Sequence, residues 1–305
     1  MRLLFFGTPG FAVPTLQALI ENGEMIVGAV TQPDRPKGRN QKVLPSAVKE
    51  AARQAGLPVL QPVSVGEPAF LKTVRELKPD LGITAAYGQL LPKPLLDAFP
   101  KGVLNLHASL LPKYRGAAPV QWALIQGERE TGVTIFQLDE KMDHGPIWSQ
   151  ARLAIDPEEA ADTLTGRLAQ RGAALLIDTV KLIRSGREAP QPQDHAAASF
   201  APALKKADGL IDWNADCITI HNRVRGVQPW PGAAVSLKGK LIQLLQTRPH
   251  PETADSGAPP GTPIRMDPKR GLWFQTGQGA LEALRVKPEG KAGMSARDYC
   301  SGIPR

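Results

Sequence analysis

The sequence predicts an α/β protein in two parts: a Rossmann-like domain with a mostly parallel sheet, followed by a small all-β barrel of OB-like kind. Three observations carry this. Through the first 150 residues, short apolar runs alternate with helix-like stretches, the spacing that βαβ units need. Beyond about residue 207, apolar runs lie between Gly and Pro with no helical stretch between them. Between the two lies EAPQPQDHAAASFAP, rich in Pro, Ala and Gln and without helical or strand period. A first domain over 1–188, a linker over 189–207 and a second domain over 208–305 follow.

Taken in order, the strand candidates of the first part are RLLFF (2–6), MIVGAVT (25–31), LPVLQ (57–61), DLGITAA (80–86), GVLNLH (102–107) and GVTIFQL (132–138). Helix-like stretches separate them at 12–21, 47–55 and 66–77. From about 160 to 186 a long amphipathic pattern runs to a terminal Gly, a helix with its stop signal. In the last third the strand candidates are AAVSLKG, KLIQLLQT, PGTPIRM, GLWFQTG and ALEALRV. Trp213 in IDW and Trp230 in QPWPG are read there as packing residues.

Bulk composition narrows the function classes. With 305 residues, 42% hydrophobic and 22% charged, the chain is globular and long enough for two cores. Its two cysteines, Cys217 and Cys300, lie in no Cys-x-x-Cys motif, and no His-x-x-x-His spacing exists, so neither a disulfide framework nor a metal site is expected. That usage suits a reducing cytoplasm. RLLFF is too short for a signal-peptide core, and no apolar run approaches a membrane span. Residues 1–200 carry 22 Lys and Arg against 20 Asp and Glu, and residues 201–305 carry 15 against 9, which divides the net +8 into +2 and +6. A small basic last third fits a polyanion partner, but charge alone favours an ordinary solvated surface.

Nucleotide motifs do not assign a function. FGTPGFA has Pro9 and Ala12 where a dinucleotide fingerprint needs glycine, and no phosphate-binding Gly-x-x-x-x-Gly-Lys-Ser/Thr loop occurs. Nothing here points to NAD or ATP.

The most informative polar set is Asn105, His107 and Asp143. Asn105 and His107 are two apart at the end of a strand, so they share a face, and in open α/β sheets that edge is where ligands bind. Asp143, in the turn KMDHG after GVTIFQL, reaches the same edge if the two strands are neighbours. An Asn amide and an imidazolium are suitable donors to a carbonyl oxygen that turns negative under attack. A carboxylate beside the imidazole would favour its protonated form. Asn-x-His is also an ordinary capped turn, Ser109 reads more simply as a loop cap than as a nucleophile, and His144 has no partner that the sequence names. Residues alone therefore stop at an α/β enzyme in which acyl transfer is one chemistry available.

The string NLHASLLPKYRGAAPVQWALIQGERETGVTIFQLDEKMDHGPI closely resembles the signature of the folate-dependent formyltransferases. FFGTPGFAVPTL, TQPDRPKGRNQKVLPS (31–46), AAYGQLLP and GLIDWN…RGVQPWPGA resemble those members that act on methionyl-tRNA, and the similarity covers essentially the whole chain. The resemblance implies 10-formyltetrahydrofolate as formyl donor and the α-amino group of initiator methionyl-tRNA as acceptor. It makes Asn105, His107 and Asp143 catalytic. For the folate it implies Ser109, Leu110, Leu111 and Pro112 in one turn, with Tyr87, Gly88 and Leu90 in the strand-end loop. For tRNA it implies Arg35, Lys37, Arg39 and Lys42 in the cationic loop, Arg39 foremost, with Arg223 and Arg225 near the barrel entry. A cytoplasmic monomer that takes tRNA and folate, with no membrane partner and no tight metal, is the expected form. Gly10 departs from the acidic residue usual in relatives, which bears on the local turn and not on the Asn105, His107 and Asp143 set.

Overall fold

The computed structural model describes residues 1–37, 42–186 and 189–302. Its strands are β1 (Arg2–Gly7), β2 (Met25–Val30), β3 (Arg35–Lys37), β4 (Lys42–Leu44), β5 (Val59–Leu60), β6 (Leu81–Ala85), β7 (Val103–His107), β8 (Glu130–Gln137), β9 (Ile147–Ala154), β10 (Ala233–Leu237), β11 (Lys240–His250), β12 (Pro263–Asp267), β13 (Gly271–Gln275), β14 (Ala280–Pro288) and β15 (Met294–Ser295). The helices are α1 (Val13–Glu21), α2 (Ala47–Gln54), α3 (Pro68–Leu77), α4 (Lys93–Leu96), α5 (Pro119–Ile125), α6 (Ala161–Ser185), α7 (Cys217–Gly226) and α8 (Ala296–Ser301).

Two compact units result, and they do not follow the chain in simple order. The first comprises 1–116, 131–153 and 165–200, and the second comprises 117–130, 154–164 and 201–305.

In the first unit the sheet runs β5-β2-β1-β6-β7-β8-β9. Pairings among β5, β2, β1, β6 and β7 are parallel, and β8 joins β7 antiparallel. Strands added after β1 lie first on one side and then on the other, so the order reverses between β1 and β6 and opens a crevice at their carboxyl ends. Fully buried Leu3, Leu4, Phe5 and Phe6 explain why RLLFF forms the centre of the sheet. Both faces of such a strand are covered, so apolar residues are continuous rather than alternating. On one face Leu106 of β7 meets α6 at Gly172, where a Cβ would stand 2.4 Å from the leucine side chain. A larger residue there would force the buried Leu106 side chain to move.

Within the segment 31–46, β3 and β4 form an antiparallel pair, with Arg35 opposite Leu44. Its base is pinned twice. Thr31 and Ser46 hydroxyls are 2.6 Å apart, and the Lys49 ammonium pairs with the Asp34 carboxylate and holds it below the usual carboxylate range.

The second unit is built on an antiparallel six-stranded sheet, with path β10-β11-β14-β13-β12 and β15 on β14. Its core gathers Val235, Ile242, Leu244, Phe274, Leu281 and Val286 with Ile220 and Val224 of α7. The helix was not expected from sequence; Asp216 caps it by accepting from the Ile218 and Thr219 amides at 2.9 Å. Trp213 packs on Phe274 with ring centroids 5.0 Å apart, as expected. Trp230 is 54% exposed, so the packing expected of it is not found.

His221 of α7 is buried between Thr247 Oγ1 and the Pro157 carbonyl, both at 3.0 Å. The carbonyl only accepts, so Nε2 carries the proton and Nδ1 accepts from Thr247; burial depresses the imidazole's pKa. The unfolded chain then binds a proton that the folded one refuses, so stability is lost as pH falls below the ordinary histidine value of about 6.5. Urea titrations of the full chain between pH 7.5 and 5 should show this loss, and His221→Gln should flatten it. An equal slope in both proteins contradicts the assignment.

Candidate active site

Asn105 and His107 occupy alternate positions of β7, on the face opposite Leu106, and His107 is its last residue. Register places Asn105 beside Thr84 of β6 and His107 beside Thr134 of β8. Thr84 Oγ1 donates to Asn105 Oδ1 at 2.6 Å, which fixes the amide with its donor end, Nδ2, turned from that contact.

The structure brings Asp143 to the same edge. Its carboxylate Oδ2 is 3.6 Å from His107 Nδ1 and accepts from the Gly116 amide at 2.8 Å. At 3.6 Å the imidazole contact is an electrostatic one, longer than a hydrogen bond. The other ring nitrogen, Nε2, donates to the Tyr114 carbonyl at 2.9 Å. A carbonyl cannot donate, so Nε2 keeps its proton in the neutral and charged rings alike, and the exchangeable position is Nδ1, facing Asp143. His107 is 6% exposed and Asp143 12%, so this pair lies largely out of water.

The loops that hold these groups are tightly specified. Ala86, Tyr114 and Asp143 all lie in the left-handed region, at φ 46°, 60° and 49°. Such conformations cost non-glycine residues of order 1–3 kcal/mol each and persist only when surroundings impose them. Ser109 is fully buried; its hydroxyl donates to the Lys113 carbonyl at 2.6 Å, and its own carbonyl accepts from Thr134 Oγ1 at 2.6 Å. Thr134 also accepts from the Leu111 amide, and Gln150 donates to the Leu111 carbonyl. Ser109 is thus a loop brace, with its hydroxyl committed.

Tyr87, Gly88 and Leu90 lie in the loop after β6, at the reversal of strand order. The Tyr87 ring is buried against Phe6, with centroids 5.5 Å apart, and burial pushes its hydroxyl up to about 12. Its carbonyl accepts from Thr8 Oγ1, which ties the loops after β1 and β6 together across the crevice. Leu90 is 72% exposed and open space lies beside Gly88, while Leu110 is half-buried and Leu111 buried. Exposed apolar surface beside open space at the strand ends fits a flat, partly apolar ligand. A cleft of about 870 Å³ lined by Lys93, Lys101, Asp139 and His144 contains none of Asn105, His107 and Asp143, and its lining mixes both charges.

Of the expected tRNA contacts, Arg35 is exposed on β3. Arg39 lies outside the described residues, as do the side chains of Lys37 and Lys42. Arg223 donates to the Asp208 carbonyl. Arg225 is buried and donates to the carbonyls of Asp156 and Glu159 and to Asn222 Oδ1, so it braces the second unit instead of presenting charge.

Sequence reasoning missed Thr84, Arg115 and Gln193. Gln193, inside the aperiodic segment read as linker, donates to the carbonyls of Asp143 (3.0 Å) and Gly145 (2.7 Å) and accepts from Arg115 Nη2 at 2.6 Å. Only its Pro-Gln context and burial distinguish it, and burial is invisible in one sequence. His144 stacks on His195 at 4.0 Å and donates to Asp139, a partner that sequence did not supply.

Nitrogen-15 spectra of His107 should show Nε2 protonated in the neutral ring. A neutral ring with its proton on Nδ1 contradicts this geometry.

Among the described residues no cluster of three or more His, Cys, Asp or Glu could hold a metal ion, and no helix is long and apolar enough to cross a membrane. Residues 1–180 match the formyl transferase family, and 203–304 match the formyl transferase C-terminal domain. Methionyl-tRNA formyltransferase of Citrifermentans bemidjiense is 45% identical over 302 residues, 99% of this chain and 93% of that one. That of Thermodesulfovibrio yellowstonii is 45% identical over 98% of this chain and 95% of that one. In structure, an N-formyltransferase from Helicobacter canadensis, complexed with folinic acid and dTDP-3-aminofucose, aligns with TM-score 0.71 at 18% identity over 93% of this chain and 98% of that one. HypX from Aquifex aeolicus in complex with tetrahydrofolic acid aligns with TM-score 0.66 at 17% identity over 98% of this chain and 46% of that one. At these identities the structural likeness is one of fold.

Proposed function

The chain belongs to the formyl transferase family, and from that premise we propose that it moves a formyl group from 10-formyltetrahydrofolate to the α-amino group of initiator methionyl-tRNA, giving N-formylmethionyl-tRNA for translation initiation. The acceptor rests on relatives of that activity at 45% identity over nearly the full chain. The observation that carries the chemistry is the meeting of Asn105, His107 and Asp143 at one buried strand edge.

When bound, the donor supplies a formyl carbon attached to a folate nitrogen. The turn Ser109–Pro112 and the loop Tyr87–Leu90 hold it through backbone groups and apolar contact, with Leu90, Leu110 and Leu111 as walls. Asn105 Nδ2 and protonated His107 Nδ1 donate to the formyl oxygen as it gains negative charge. Asp143 keeps the imidazolium in place and, directly or through water, takes the proton from the attacking amine and passes it to the departing folate nitrogen. The new amide bond forms as the old carbon–nitrogen bond breaks, and no side chain becomes acylated. An α-amino group titrates near pH 8, and esterification lowers that further, so a neutral amine is at hand without a strong base.

On the tRNA side, Arg35, Lys37, Arg39 and Lys42 of the segment 31–46 meet phosphates near the acceptor end, with Arg39 reading the initiator. The basic stretch 201–305, which we read as forming an OB-like barrel, adds contact through Arg223; the buried position of Arg225 fits a supporting role. The chain acts in the cytoplasm as a monomer, a reading supported by its free buried cysteines and its macromolecular partner.

Formyl transfer to initiator and elongator methionyl-tRNA, run side by side with a no-tRNA control, tests this. Rapid transfer to the initiator alone is expected; donor consumption without tRNA would leave the site standing and remove the acceptor. His107→Ala should lower turnover about 100- to 1,000-fold with the fold intact. Arg39→Ala should erode discrimination between the two tRNAs far more than the KM for donor, and unchanged discrimination would return that loop to ordinary surface.

A further inference from the structure

We propose that Gln193 is a positioning residue for the His107–Asp143 pair, and that the segment Gln193–Ser199 is the strap through which it acts. The inference rests on the catalytic reading of that pair. Gln193 is 6% exposed and its amide is fully used: both Nε2 hydrogens go to carbonyls of the Asp143 turn, and Oε1 accepts from Arg115. The turn it holds needs holding. Asp143 sits at φ 49°, and Gly145 packs so closely that a Cβ there would stand 1.9 Å from the Gln137 carbonyl. Two donors from one rigid amide cancel the cost of burying those carbonyls and favour the strained backbone over its alternatives.

The same strap governs the other half of the pair. Ser199 Oγ accepts from the Tyr114 amide at 2.9 Å, the Ser199 carbonyl accepts from the Arg115 amide at 2.8 Å, and the Ser199 amide donates to the Pro112 carbonyl at 3.3 Å. Tyr114, at φ 60°, is the residue whose carbonyl receives the His107 Nε2 proton. Arg115, buried, links the two ends by donating from Nη2 to Gln193 Oε1 and to His195 Nδ1. One segment therefore sets the acceptor that orients the imidazole and the turn that aims the carboxylate. A shift of about 1 Å in either would cost on the order of 100-fold in rate.

The test measures kcat and both KM values for formyl transfer to initiator methionyl-tRNA by Gln193→Glu and Gln193→Met, each alone and combined with Asp143→Asn, with thermal melts of every variant. Gln193→Glu keeps the shape and the Arg115 contact while removing both donors, and it decides the matter if the methionine variant does not fold. We expect kcat to fall about 10- to 100-fold in folded single variants, with both KM values within about twofold of wild type. In the Asp143→Asn background the further loss should be less than about threefold, because a residue acting through Asp143 has nothing left to position. Wild-type kcat in a folded Gln193 variant overturns the proposal, and so does an equal loss in both backgrounds, the mark of a merely structural role. A wild-type rate for Asp143→Asn alone overturns the reading of Asp143 itself and removes the basis of this inference, a result distinct from the other two.

Discussion

The site depends on one hydrogen bond, from His107 Nε2 to the Tyr114 carbonyl. Because the acceptor has no proton to give, it decides which ring nitrogen is permanently protonated and which can exchange. That choice turns Nδ1 toward Asp143 and makes the carboxylate 3.6 Å away the natural companion of a charged ring. It also explains why the chain needs so much apparatus around Tyr114: its left-handed backbone holds that carbonyl where the imidazole can reach it. Ser109, Thr134 and Gln150 brace the turn on one side, and the strap around Ser199 does so on the other.

Much of this architecture was legible in the sequence because the central strands are buried on both faces. RLLFF, DLGITAA and GVLNLH stand out as continuous apolar runs, and the structure places them side by side as β1, β6 and β7. The five strand candidates of the last third each correspond to a strand, since Gly and Pro mark their ends. What was not legible has physical reasons. Helix α5 is seven residues long, too short for a period to declare itself. Helix α7 buries Cys217, Ile220 and Val224 at helical spacing but also buries His221, Asn222 and Arg225, so polar residues at buried positions interrupt the apolar pattern that would have marked it.

The site divides in the same way. Asn105, His107 and Asp143 could be singled out because strand alternation and a following turn place them by local rules. Thr84, Arg115 and Gln193 are placed by partners 21, 78 and 50 residues away, and nothing in their own neighbourhood announces it. The Pro- and Gln-rich stretch looked like a tether because it has no period of its own. Its order is borrowed from the loops it binds, through side-chain amides and backbone groups that composition does not reveal.

The boundary of the first unit at Phe200 bears on how such a chain can be divided. A fragment cut at 188, where periodicity ends, would keep every strand of the parallel sheet and all three polar residues. It would lack Gln193 and Ser199, and with them the donors and acceptors that brace two left-handed turns. Such a piece could fold and still be dull as a catalyst. Any recombination that joins this sheet to a different C-terminal domain should therefore carry the stretch through Phe200 along with it, and should treat 117–130 and 154–164 as belonging to the domain being exchanged.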